Sequence, residues 1–308
     1  GTFSYGYTKM AFEAAEMGNF EKEIFILPSC NHYSEYAGLR NEMLIKYGTP
    51  ISLKPYYELY KTKPRTAQRE VNTLVREQIN SLMLNIQDTE NYDAIDAIRQ
   101  GEYGIIYAKN QNMDPTQLPQ KLVADKKLVA ALDAAKESNP SMVQSVYESA
   151  RAVYGELKKK GIDESALTQT PGVGNLLVQI AVVAFLFPLA VFSLWPALPA
   201  WFIPKYFSDK AEDKMFHGTF LIALNALLIF PVCGLLTFFV TWVKTSLLAG
   251  LIYVALFPAL CLFEWAYVGW IKDIIHGFNA IRAEKSGVLG RLRDSRKQLF
   301  RDIDNIVK

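Results

Sequence analysis

Cysteine and histidine are scarce in this chain of 308 residues, with three of each. Cys30, Cys233 and Cys261 are too widely spaced for a disulfide framework or a zinc site. They read as small, buried apolar residues. No Gly-rich phosphate loop, Gly-x-Ser-x-Gly elbow or metal-ligand cluster is present. No metal or resident cofactor is therefore expected. Net charge is nearly balanced at +2, and no nucleic-acid partner is expected. The chain starts at Gly1 without a basic segment leading into a short apolar one, so nothing there resembles a signal peptide. A processed form or a fragment begins in this way.

What is present falls into two populations. Residues 1 to about 170 carry charges every few positions, whereas 173–203 and 218–270 carry almost none. In the first part, Tyr7 to Met17 reads as a short helix stopped by Gly18-Asn19. Glu23 to Leu27, ending at Pro28, and Met43 to Tyr47, closed by Gly48-Thr49-Pro50, read as strands. This order suggests part of an α/β domain over 1–60. Helical periodicity follows over 61–170. Val71, Leu74, Val75, Ile79, Leu82 and Met83 recur at three- and four-residue spacing. Further helices fit Tyr92 to Arg99, Leu122 to Ala135 and Pro140 to Lys160, the last introduced by Asn139-Pro140. This region reads as a helical accessory layer.

A membrane region spans 171–271. Crossing a hydrocarbon core of roughly 30 Å takes about 20 mostly apolar residues. Blocks 218–243 and 246–270 are each long enough, with Trp242, Trp265 and Trp270 near their ends as interfacial anchors. Block 173–203 is also long enough but is interrupted by Pro188, Pro196 and Pro199, with Pro204 just beyond it. Lys158-Lys159-Lys160, then Lys205, Lys210 and Lys214, and the basic tail all flank the blocks on what the positive-inside rule makes one side. That placement favours a re-entrant or interfacial first block over a third full span. The tail 272–308 alternates Arg282, Lys285, Arg291, Arg293, Arg296, Lys297 and Arg301 with Leu292, Leu299, Phe300 and Ile303. It reads either as a basic amphipathic helix on anionic lipid or as a solvated helix that sets topology.

Candidate chemistry concentrates in Pro28-Ser29-Cys30-Asn31-His32-Tyr33-Ser34-Glu35-Tyr36, a polar run directly after an apolar strand, where α/β domains place ligand loops. His32 and Glu35 have the chemistry of an acid-base pair, but a loop spacing of three does not aim them at one another. Lys9 and Arg40 are the soluble cations nearest the strand ends, suited to a phosphate or to plain surface charge. Glu264 is the one carboxylate inside an apolar block, and charge this sparse argues against a transporter.

The segments Gly6-Tyr7-Thr8-Lys9-Met10-Ala11-Phe12, Ile24-Phe25-Ile26-Leu27-Pro28 and Leu44-Ile45-Lys46-Tyr47-Gly48-Thr49-Pro50-Ile51 resemble the later part of the glycerolipid acyltransferase family. The stretch from Asn19 to Leu84, with Tyr56-Tyr57-Glu58-Leu59-Tyr60 and Pro64-Arg65-Thr66-Ala67-Gln68-Arg69-Glu70, looks closest to a bacterial subgroup with a helical and membrane extension. The resemblance implies an α/β fragment, the C-terminal part of an acyltransferase domain, followed by a helical region and an α-helical membrane domain. It implies transfer of an acyl chain from a coenzyme A or carrier-protein thioester to lysophosphatidate or glycerol 3-phosphate. It places Pro28, Gly48 and Pro50 beside the substrate cleft, Lys9 at a usually basic position, and Ser29, His32, Tyr33 and Arg40 as lining or phosphate-binding candidates. The family's His-x-x-x-x-Asp and Pro-Glu-Gly motifs are absent here, and both belong upstream of Gly6. The expectation is a fragment without its catalytic base, held in a bacterial inner membrane with soluble part and tail cytoplasmic. The rival is a non-enzymatic membrane scaffold.

Overall fold

The computed structural model describes residues 4–34, 42–210 and 216–307. In chain order its elements are α1 (Gly6–Met17), β1 (Phe25–Ile26), β2 (Ser29–Tyr33), β3 (Met43–Tyr47), β4 (Ile51–Ser52), α2 (Tyr57–Thr62), α3 (Pro64–Leu82), α4 (Tyr92–Gln100), α5 (Glu102–Asn110) and α6 (Leu118–Ser138). There follow α7 (Pro140–Lys160), α8 (Ser165–Thr168), α9 (Val173–Asp209), α10 (Phe216–Leu224), a π-turn (Asn225–Ile229), α11 (Phe230–Lys244), α12 (Leu247–Lys285) and α13 (Val288–Val307). The chain is mostly helical with little sheet. It divides into two compact units, one holding residues 4–34, 42–92 and 104–131, the other the rest.

In the first unit the expected strands form, but as two separate antiparallel pairs. Phe25 pairs with Ser52 and Ile26 with Ile51, while Ser29–Tyr33 pairs with Met43–Tyr47. The polar run after Pro28, expected as a ligand loop, is therefore strand β2 as far as Tyr33. Its partner β3 supplies a complete ladder, and backbone pairing outweighs the polar composition that suggested a loop. The core beside these strands is made by Phe12, Ala15, Ile51, Leu53, Tyr57, Tyr60, Ala67, Val71 and Val75. Phe12 stacks flat on Tyr60, ring centroids 4.4 Å apart. Tyr57 ties the strand region to α2: its hydroxyl donates to the Lys22 carbonyl at 2.8 Å and accepts from the Ile24 N–H at 3.1 Å.

In the second unit α7 keeps its sequence-read limits for a visible reason. The Asn139 side chain accepts the Met142 N–H, Pro140 occupies the first turn where no N–H is needed, and Gly161 closes the helix at φ 59°. Val153 and Leu157 of α7, Ala166 and Leu167 of α8, Ala280 and Ala283 near the end of α12, and Leu289 and Leu292 of α13 share one buried cluster. The tail is thus neither a lipid-facing nor a fully solvated helix. Leu289, Leu292, Leu299 and Ile303 are buried, so its apolar face is already occupied by protein.

Among the described residues, three helices are long and apolar enough to cross a membrane: Val173–Trp195 within α9, Gly218–Lys244, and α12. α9 is helical from Val173 to Asp209, without the break expected at its prolines. The Tyr267 hydroxyl of α12 donates to the Val183 carbonyl of α9 at 3.0 Å, tying the two helices together. α12, at 39 residues, is roughly 58 Å long at 1.5 Å per residue. That exceeds the hydrocarbon thickness, so its C-terminal part continues into the cluster with α7, α8 and α13.

Candidate functional site

Of the residues singled out by sequence, the fold brings Pro28 and Gly48 together. The Gly48 N–H donates to the Pro28 carbonyl at 2.8 Å. Gln78 of α3 seals this turn, its side-chain oxygen accepting the Thr49 N–H at 2.8 Å. A Cβ on Gly48 would meet that Gln78 oxygen and displace the end of its side chain, and Pro50 follows in the same turn. Ser29, His32 and Tyr33 lie along β2, opposite Tyr47, Leu44 and Met43. Lys9 stands apart on an exposed part of α1, 3.6 Å from Glu13. Arg40 lies outside the described residues.

One group beside these strands was not found from sequence. Cys30 pairs across the ladder with Lys46, and Lys126 of α6 acts on both. Burial pushes the Cys30 thiol up even though the two lysines pull it down, so Cys30 lacks the character of an activated nucleophile. Burial and the neighbouring Lys46 push the Lys126 ammonium down. That ammonium donates to the Ser81 carbonyl, in the last turn of α3, where a cation meets the negative helix end.

The most developed polar cluster lies in the second unit. Arg296 is 7% exposed and pairs with Glu102. Its Nη1 also donates to Thr168 Oγ1 at 3.1 Å, and that hydroxyl in turn donates to the Glu102 carboxylate at 2.9 Å. Glu164 Oε2 accepts the Glu102 N–H at 3.0 Å. Glu164 Oε1, Tyr154 Oη and Arg296 Nε are buried without a hydrogen-bond partner of good geometry among the described residues. Burial raises Glu164 above the ordinary carboxylate range against the pull of the Glu102 N–H and Arg296, and raises the adjoining Tyr154 phenol. The guanidinium rests over the Phe300 ring at 5.5 Å, and the Tyr103 hydroxyl donates to Asp304 Oδ1 at 2.8 Å. Arg293 adds a bond from Nε to the Leu167 carbonyl at 3.1 Å. These contacts clamp α13 to α5 and α8. The sequence signal for Arg296 was its position: it continues the three-four spacing of Leu289, Leu292, Leu299 and Ile303, on the stripe that is buried.

The raised Glu164 carboxyl has a consequence for stability. The folded chain holds its proton to higher pH than the unfolded chain does. Stability is therefore fully retained below the ordinary glutamate value and falls as pH rises from there to the raised folded value. Glu164→Gln keeps the acceptor for Glu102 N–H and removes that fall. Denaturation midpoints followed across this window should decline in the wild type relative to the variant. Parallel profiles for the two would contradict the assignment.

Within the apolar helices, the fully buried Ser193 donates to Glu264 Oε2 at 2.7 Å. Trp195 Nε1 donates to Thr237 Oγ1 at 3.1 Å. Such bonds hold helices together where lipid offers no hydrophobic drive. Glu264 thus ties α12 to α9, a partner its sequence neighbourhood did not reveal.

The fold defines a mostly helical chain with a small antiparallel strand region and three helices able to span a membrane. No known family, curated protein or solved structure matches it.

Proposed function

We propose that this chain is the membrane-anchored later part of a glycerolipid acyltransferase that moves an acyl chain from a coenzyme A or carrier-protein thioester to lysophosphatidate or glycerol 3-phosphate. The observation that supports the reading is the sparse pairing of its strands, two antiparallel pairs among the described residues. β2 and β3 form a two-stranded hairpin, a unit marginal by itself. Met43, Ile45 and Tyr47 stand exposed in a row along β3, where a larger α/β domain would place further chain. Pro28, Gly48 and Pro50 gather at one turn beside that hairpin, which fits their proposed place along a substrate cleft. Deprotonation of the acceptor hydroxyl needs a base, and in this reading the base lies on chain preceding Gly6. The apolar helices hold the site at the surface where acyl chain and lysophospholipid are concentrated.

A scaffold reading draws on a different observation: His32 sits in a paired strand and Lys9 lies beside Glu13, so these candidates do not converge. Purified protein assayed with lysophosphatidate and an acyl thioester separates the parts of the proposal. This chain is expected to show no transfer above a no-protein control. Measurable transfer would contradict the missing base. Coding sequence upstream of Gly1 lacking His-x-x-x-x-Asp and Pro-Glu-Gly would favour the scaffold.

The arrangement in the membrane follows the same reading. Val153 and Leu157 precede the first apolar helix, whereas Ala280, Ala283, Leu289 and Leu292 follow the last, and all belong to one cluster. Asn279 also donates to the Gly161 carbonyl at 3.2 Å. A shared core on both sides of the apolar region requires an even number of crossings. Because α9 is one unbroken helix, this supports an α9 that lies obliquely in the interface without completing a crossing, beside a crossing hairpin of α11 and α12, and it agrees with the lysines on one side. In this reading that side is the cytoplasmic face of a bacterial inner membrane.

A further inference from the structure

The second half of α9 has a surface suited neither to water nor to the acyl core. Trp201, Phe202, Tyr206 and Phe207 are 47%, 58%, 58% and 47% exposed, while Pro204 and Ser208 face protein. At 100° per residue, Phe202, Ile203, Tyr206 and Lys210 fall on the side opposite that buried stripe. Lys205 flanks it and stacks on Trp201, Nζ 5.3 Å from the ring centre. Lys210 stands 4.2 Å from the Tyr206 ring centre, and its ammonium donates to the Tyr206 hydroxyl at 2.6 Å.

Apolar rings and charges are interleaved here rather than segregated. In water this segment would expose the large apolar side chains of Trp201, Phe202, Ile203 and Phe207 around most of its circumference. In the acyl core it would strand Lys205, Asp209 and Lys210, three charges with no ion pair to one another among the described contacts. The boundary layer satisfies both: aromatic bodies sit among the upper methylenes, and lysine stems carry their ammonium groups to the phosphates. The segment is also continuous with Val173–Trp195, a stretch apolar enough to be embedded in a bilayer.

We propose that residues 198–210 lie in the phospholipid headgroup layer, with a lipid surface as the occupant of this face and lipid phosphates as partners of Lys205 and Lys210. The inference rests on the membrane reading above and goes beyond it. It assigns the second half of α9 a lipid-binding role instead of a crossing or an aqueous loop.

The test places a nitroxide on Ile203→Cys or Phe207→Cys in the full chain, with Cys30→Ser, Cys233→Ala and Cys261→Ala. The protein is reconstituted in vesicles of phosphatidylcholine and phosphatidylglycerol. Collisions are compared for oxygen, which concentrates in the core, and a water-soluble nickel chelate. Leu256→Cys, midway along the apolar part of α12 and exposed, serves as the reference for the core and Lys159→Cys for water. The oxygen-to-nickel ratio at 203 and 207 is expected severalfold below that at 256 and severalfold above that at 159. A ratio equal to either reference overturns the proposal, and shielding from both reagents overturns it in favour of a protein partner. If position 256 itself matched 159, the membrane reading would fall with it, which separates the two failures. Lys205→Glu with Lys210→Glu should move the 207 label towards the aqueous ratio. An unchanged ratio removes the lysine–phosphate contact.

Discussion

Replacing Arg296 with alanine is expected to destabilise the second unit by about 3 kcal/mol, because it leaves a carboxylate cluster without its buried cation. Arg296 pairs with Glu102 and is almost wholly buried, and Glu164 stands beside them, bonded to the Glu102 N–H. Breaking a buried pair from one side costs about 3–5 kcal/mol. The 29% exposure of the Glu102 side chain lets water reach the abandoned carboxylate, which sets the lower end. Removing both partners behaves differently: Arg296→Met with Glu102→Gln should recover most of the loss, since neither charge then remains buried. Denaturation of the three proteins in one detergent measures this. Arg296→Ala within about 1 kcal/mol of the wild type would mean the cluster is solvated and does not clamp α13.

Phe12→Ala is expected to cost the first unit about 3–5 kcal/mol. Phe12 is fully buried, stacked on Tyr60, in a core whose other members are few. A core this small has little room to collapse around the gap. Lys9→Ala, on the same helix but exposed beside Glu13, should change stability by less than about 0.5 kcal/mol. Hydrogen exchange across α1, α2 and α3 reports the difference directly. Faster exchange there in Phe12→Ala and not in Lys9→Ala is the expected pattern. Equal behaviour of the two variants would show that α1 is not part of the core.

Local signals carried much of this architecture. Asn139-Pro140 and Gly161 bracket α7 because capping and glycine's left-handed backbone are local properties. Met43–Tyr47 was legible as a strand because turn residues close it. β2 was not, since Ser-Cys-Asn-His-Tyr has little strand preference and owes its conformation to β3. The tail exposed the same limit from the other direction. Its amphipathic pattern is real, but the pattern does not say whether lipid or α7 covers the apolar stripe. Site residues were less legible still. Pro28 and Gly48 meet because β2 and β3 pair with Ser29 opposite Tyr47, whereas the Glu102–Arg296 pair links positions 194 residues apart. Only the place of Arg296 on an apolar stripe hinted at its burial.

We propose that apolar helices hold this chain in a bilayer with both flanking regions on one face. The most direct measurement of this arrangement is the labelling of single cysteines in sealed vesicles by a membrane-impermeant maleimide. With the native cysteines replaced, Lys159→Cys and Lys285→Cys should react from one and the same side, and Thr245→Cys, in the turn between α11 and α12, only from the other. Reaction of Lys159→Cys and Lys285→Cys from opposite sides, or equal reaction of all three from one side, would contradict it.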